Sequence, residues 1–157
     1  MSKKDQGSGA LAYWIIGLVT IAAFLVIFVL AYINQPKALL PKPSREAAFD
    51  CIEHINLEQH IHPVLKIMAK GEQVEIPKDI GIDKNCMKAL HTHDNKGVIH
   101  IEHPLKIEFA LGDFFAVWNK DMRSFGGNMK MIVNGKDSTE YENYIVKDKD
   151  QIELIFE

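Results

Sequence analysis

Histidine is the residue type in this chain whose spacing bears most directly on chemistry. All seven histidines lie between His54 and His103, and six fall in three short clusters: His60-x-His62, His91-x-His93 and His100-x-x-His103. Neutral imidazole is the commonest metal ligand, and spacing decides which rings can meet. Residues i and i+2 of a strand point to one face, so His91 and His93 share a face if Leu90 to His93 is extended. Asp94-Asn95-Lys96-Gly97 is strong turn chemistry, because Asn and Gly tolerate positive φ. A hairpin turning on Asn95-Lys96 sets His91 opposite His100 and His93 opposite Val98. Opposed residues of an antiparallel pair hold their Cβ atoms about 4.5–5.5 Å apart. One face of this hairpin then carries His91, His93 and His100, with Glu102 two residues further along. Imidazoles at that separation can converge on one ion at about 2.0–2.1 Å. His103 falls on the other face.

His60 and His62 repeat the i, i+2 spacing and enter the first β-prone run. Beside the second hairpin they would add a fourth nitrogen or build a second metal site. The plainer reading is that alternating histidines on a solvated strand are only polar positions, and that Asp94 and Asn95 are turn residues before they are ligands. His54, alone in a predicted helix, reads as structural or surface. Imidazole sites suit zinc, copper, iron and nickel, and copper binds tightest in the usual divalent order. Met68, Met87, Met122, Met129 and Met131 offer soft sulfur. The expected cofactor is a copper or zinc ion. A catalytic zinc with three histidines and a water uses the same ligand set.

Cys51 and Cys86 are the two cysteines, and there is no Cys-x-x-Cys of the thioredoxin type. In an exported domain they could form one disulfide. They could also stay as free thiols, and Cys86, five residues before His91, could be a soft metal ligand.

The elements that must position these residues begin with an anchor. Ala10 to Ile33 reads ALAYWIIGLVTIAAFLVIFVLAYI, and no residue from Gln6 to Gln35 is charged. At about 1.5 Å per residue this run spans roughly 36 Å, enough to cross a hydrocarbon core of about 30 Å. It is apolar all round, with Tyr13, Trp14 and Tyr32 at its ends as interfacial aromatics. A cleaved signal peptide would carry a shorter apolar region of about 7–15 residues. The expected arrangement is a tail over 1–9, a transmembrane helix over 10–33, a proline-containing linker over 34–47 and a folded domain over 48–157. Lys3 and Lys4 precede the helix and Lys37, Lys42 and Arg45 follow it, so flanking charge does not orient it. The domain is near neutral with no basic stripe, which argues against a nucleic-acid partner.

Within the domain, Ser44 starts a predicted helix reaching about Ile55. Val64–Ala69 and Gln73–Ile76 flank Lys70-Gly71 as a hairpin. The Asp83–Ala89 stretch is ambiguous. Leu111–Trp118 reads as a short apolar helix with Asp113 in its first turn. Met129–Val133, the Asn134-Gly135 turn, Tyr144–Val146 and Gln151–Phe156 are strand-like. The pattern is α+β. Its last part resembles the C-terminal half of β-grasp (ubiquitin-like) domains. That likeness makes the first hairpin the N-terminal hairpin of the grasp and the histidine-bearing hairpin an insertion.

The motifs His60-Ile61-His62-Pro63, Ile80-Gly81-Ile82, Leu90-His91-Thr92-His93-Asp94, Gly97-Val98-Ile99-His100-Ile101-Glu102 and Leu111-Gly112-Asp113-Phe114-Phe115 resemble a recurring domain. That domain occurs in bacterial and archaeal membrane-anchored or exported proteins of unassigned function. Many such relatives carry a threonine before the Leu-Gly-Asp-Phe-Phe stretch, where this chain has Ala110. The resemblance implies a location and a shared core, and no reaction. Placement outside the cytoplasm follows from it, from the histidines and from the paired cysteines. The function expected is a membrane-tethered, extracytoplasmic copper- or zinc-binding domain, non-catalytic, acting as carrier or accessory. Its rivals are a histidine-ligated metalloenzyme with Glu102 or Asp94 as base, and a β-grasp surface that binds a membrane protein partner. The bilayer itself is the one partner all three share.

Overall fold

Two dipeptides, Lys70-Gly71 and Asn134-Gly135, reverse the chain within the domain. Their φ angles are 53°, 82°, 50° and 78°. Positive φ at both central residues makes the two-residue turn whose twist matches antiparallel strands. The structure is a computed structural model and describes residues 7–33 and 43–157. The first turn joins β2 (Val64–Ala69) to β3 (Glu72–Val74), with Ile67 opposite Val74. The second joins β8 (Lys130–Val133) to β9 (Lys136–Ser138), with Val133 opposite Lys136.

The last strand, β10 (Gln151–Phe156), lies between these hairpins, parallel to β2 and antiparallel to β8. The resulting sheet has the order β3-β2-β10-β8-β9. Its core face follows the period-2 rule: Ile152, Leu154 and Phe156 are buried, as are Leu65, Ile67, Met131 and Val133. The helix α3 (Leu111–Val117) adds Leu111, Phe114, Phe115 and Val117 to the same core. Ala110 offers no side-chain cap. The Asp113 carboxylate takes the Ala110 N–H at 2.9 Å, and Arg45 Nε sits 3.0 Å from that buried acid.

A second sheet carries the histidines. It has the order β1-β7-β6, with β1 at Gln59–Ile61, β6 at Leu90–His91 and β7 at His100–His103. The ambiguous stretch forms a third, small hairpin, β4 (Ile82–Asp83) with β5 (Cys86–Met87). The domain is thus mixed helix and sheet, and rich in strand.

Several expectations change. The helix from Ser44, α2, ends at Ala47 instead of near Ile55. Beyond it the backbone pairs with the β5 region: Cys51 bridges Lys88, and Ile52 N–H donates to Met87 O at 2.8 Å. His54 therefore lies outside any helix. The His60–His62 pair does not enter the first hairpin strand; His60 lies in β1 of the other sheet and His62 just past its end. The second hairpin pairs only Leu90 with Ile101 and His91 with His100, because Val98 bridges Val64 instead of His93. The folded unit also reaches into the segment assigned to the linker. Ala47 is buried, and Arg45 donates to Gly112 O at 2.8 Å. Most of the proline-spaced linker (34–42) and most of the tail (1–6) lie outside the described residues.

The chain divides into two units, and α1 (Gly7–Ile33) is the helix of the first. Tyr13–Ala31 is long and apolar enough to cross a membrane, a test that a signal sequence near an N-terminus also passes.

Candidate metal centre

The histidine face is built on the centre strand of the three-stranded sheet. β7 places His100 and Glu102 two residues apart, on one face. On one side, β6 sets His91 directly opposite His100. On the other, β1 sets His60 directly opposite Glu102. His62 and His93 continue the same faces just past their strands. The sheet thus brings His60, His62, His91, His93, His100 and Glu102 together. The sequence alone could not place β1 beside β7.

His100 sits at the middle. Its ring centroid lies 4.6 Å from that of His62, 4.5 Å from His93 and 5.2 Å from His91. The outer pairs also touch, His60 with His62 at 4.7 Å and His91 with His93 at 4.7 Å. Two donor sets result. One is His60, His62, His100 and Glu102; the other is His91, His93 and His100. Within each, one ligand atom per residue lies within 4.8 Å of all the others. Two donors on one ion at about 2.1 Å are at most about 4.2 Å apart. Small ring rotations would therefore close either set on a metal.

Local bonds prepare several donors. His91 is buried, and its Nδ1 lies 2.9 Å from Lys88 O. A carbonyl only accepts, so Nδ1 carries the proton and Nε2 keeps its lone pair. That Nε2 faces His93 Nε2 at 3.1 Å. Orientation of one ring nitrogen by a backbone carbonyl is the usual support for a metal-binding imidazole. Burial pushes the His91 pKa down to about 4, against the pull of Lys88 O and Glu102. His100 is lowered as well, by burial first and then by His62 and His93. Both rings are therefore neutral near pH 7, the form that binds metal.

Glu102 is buried, with His60 Nε2 at 3.1 Å and His100 Nδ1 at 3.7 Å from Oε1. His54 Nδ1 approaches Oε2 at 2.9 Å but is not aligned as a hydrogen bond. His100 Nδ1 and Glu102 Oε2 are buried without a hydrogen-bond partner. Buried polar atoms are rarely left so, and both belong to the donor set.

The remaining residues sort by face and by bond. His103 points to the other side, where its ring packs near Phe109 and its Nε2 lies 3.6 Å from Asp50. Cys51 and Cys86 are joined in a disulfide, which removes Cys86 as a thiolate ligand. Met122 and Met131 are buried in the hydrophobic core. Asp94 accepts from Lys96 N–H at 2.9 Å, as a turn residue does. Sequence reasoning passed over two supporting residues. Thr92, buried between the paired histidines, accepts from Ile80 N–H at 3.1 Å and donates to Pro77 O at 2.9 Å. Asp148 accepts the His62 N–H at 3.0 Å across 86 positions. A Thr between two histidines on alternating faces was a readable signal; Asp148 left none.

Comparison with protein-family models, with curated proteins and with solved structures finds no match. The site must be read from its own chemistry.

Proposed function

We propose that this chain is a membrane-tethered, extracytoplasmic metal-binding protein that holds copper or zinc as a carrier or accessory, without turning over a substrate. One observation carries the reading. Five imidazoles and a buried carboxylate share one sheet face, with one of those imidazoles fixed in its ligand tautomer by Lys88 O. Nitrogen-rich sites of this kind suit copper and zinc. The carrier reading is favoured over an enzyme by Glu102. As a general base it would need a free oxygen facing substrate, yet the residue is buried beneath His54, His60 and His100. The apolar helix supports the tether, and the disulfide supports an oxidising compartment. The sheet order, with β2 and β10 parallel at its centre and hairpins outside, supports a β-grasp core to which the histidine sheet is an addition.

The test is metal content. The full chain in detergent, stripped with chelator and offered copper or zinc, should retain at least one equivalent by elemental analysis. H91A/H93A should retain less. A parent protein that keeps no metal would refute the proposal, and an unchanged double variant would move the site elsewhere.

A further inference from the structure

The two donor sets overlap in one residue, and that overlap has a consequence for stoichiometry. His60, His62 and Glu102 converge on one side of His100, and His91 and His93 on the other. Among the described residues, the ring contacts linking the two pairs all pass through His100. The strand order gives the reason. His60 stands on β1 and His91 on β6, with β7 between them. Neighbouring strands lie about 4.8 Å apart, so the outer strands are separated by roughly twice that. Donors on one ion cannot be more than about 4.2 Å apart. A single ion would therefore have to leave one set unused.

We propose that the site takes two metal ions, with His100 as the shared ligand giving one ring nitrogen to each. His60, His62 and Glu102 complete one ion and His91 and His93 the other. The first set then offers four donors, a closed tetrahedral count. The second offers three, which leaves a position for water or an exchanging ligand. Each set combines a buried donor with an exposed one, Glu102 with His60 in the first and His91 with His93 in the second, so the donor count alone distinguishes them. His100 Nδ1, buried without a hydrogen-bond partner beside Glu102, is the nitrogen directed at the first ion. A neutral imidazole has one lone pair on nitrogen and one N–H. When His100 binds the second ion its N–H proton leaves to bulk water, and the freed electron pair forms the second metal–nitrogen bond.

This inference rests on the metal-binding reading, and a titration with copper(II) separates the two. Full-length protein in detergent, stripped with chelator, is titrated and its retained copper counted after gel filtration. Two equivalents are expected. Their EPR intensity should fall below twice that of one copper, because spins joined through an imidazole couple. H62Q and H93Q, at positions that are not buried, should each retain one equivalent with full EPR intensity, and circular dichroism should match the parent. One equivalent in the parent would overturn the two-ion proposal and leave the metal-binding reading standing. Two equivalents with uncoupled spins would overturn the shared ligand. No retained copper would overturn both.

Discussion

Single residues set the conditions under which this site can work. His91 is the clearest case, because its fold holds it neutral. Its pKa falls from 6.5 in the unfolded chain to about 4 in the folded one, mainly by burial. Between those values the unfolded state binds more protons, so stability rises with pH there. The stabilisation is full above pH 6.5 and is lost as pH falls toward 4, by up to about 3 kcal/mol. His93 and His100 push in the same direction and Glu102 opposes them. Urea unfolding of the metal-free protein at pH 7.5, 6 and 5 should show this decline, and H91Q should flatten it. An equal decline in H91Q would show that other groups carry the acid sensitivity. Asp150 is a second buried anchor. Its carboxylate accepts from Tyr144 Oη, Asn134 Nδ2 and Lys147 N–H, each at 2.8 Å. Burial, and then that bond, pushes the Tyr144 phenol up to about 12. D150A strands three donors and should cost about 3 kcal/mol in thermal unfolding. A loss below about 1 kcal/mol would mean that water replaces the carboxylate.

Elements position the histidines through a few close backbone approaches. The turn before β7 is held against β2 at Gly97: Leu65 N–H donates to Gly97 O at 2.8 Å, and Ile99 N–H donates to Pro63 O at 2.9 Å. A Cβ at Gly97, whose φ is 79°, would drive into the Leu65 carbonyl oxygen. G97A should therefore destabilise by more than about 2 kcal/mol and weaken metal retention. Gly71 provides the contrast. Its φ is 82°, but nothing lies within 4 Å of a Cβ there. G71A should cost about 1 kcal/mol, the left-handed penalty alone, and leave metal retention intact. Equal losses in the two variants would remove the special role given to Gly97. These same elements show what could be read in advance. Turn dipeptides fix register locally, so the His91–His100 pairing followed from Asp94 to Gly97. The pairing of His60 with Glu102 joins residues 42 positions apart, and β1 is three residues long. So short a strand carries no periodicity to read. The helix from Ser44 was over-extended for a related reason. Phe49, Asp50, Cys51 and Ile52 are weak helix formers, and Cys51 and Ile52 pair with the β5 region instead.

At the scale of the whole molecule, the disulfide links the compartment to the stability of the fold. Cys51 and Cys86 close a loop with a separation of 35 residues, ahead of the histidine-bearing strands β6 and β7. In a chain-entropy account such a closure is worth about 4 kcal/mol. That is a large share of the roughly 5–15 kcal/mol by which a domain is stable. Asp50, next to Cys51 and just outside the loop, accepts the Ala89 N–H on its backbone oxygen at 2.9 Å, just before β6. Reduction should therefore loosen the strand that carries His91 as well as lower the overall stability. The proposed function places this domain where thiols stay oxidised, with the apolar helix keeping it at the membrane that bounds such a compartment. Both parts can be tested on intact cells with a membrane-impermeant maleimide of high mass. Without reductant the chain should take no label, because both cysteines are bonded. After a brief impermeant reductant it should gain two labels, and it should remain in the membrane fraction throughout. Two labels only after the cells are broken open would place the domain on the cytoplasmic side. Recovery in the soluble fraction would show that the helix is removed as a signal sequence and that no tether remains.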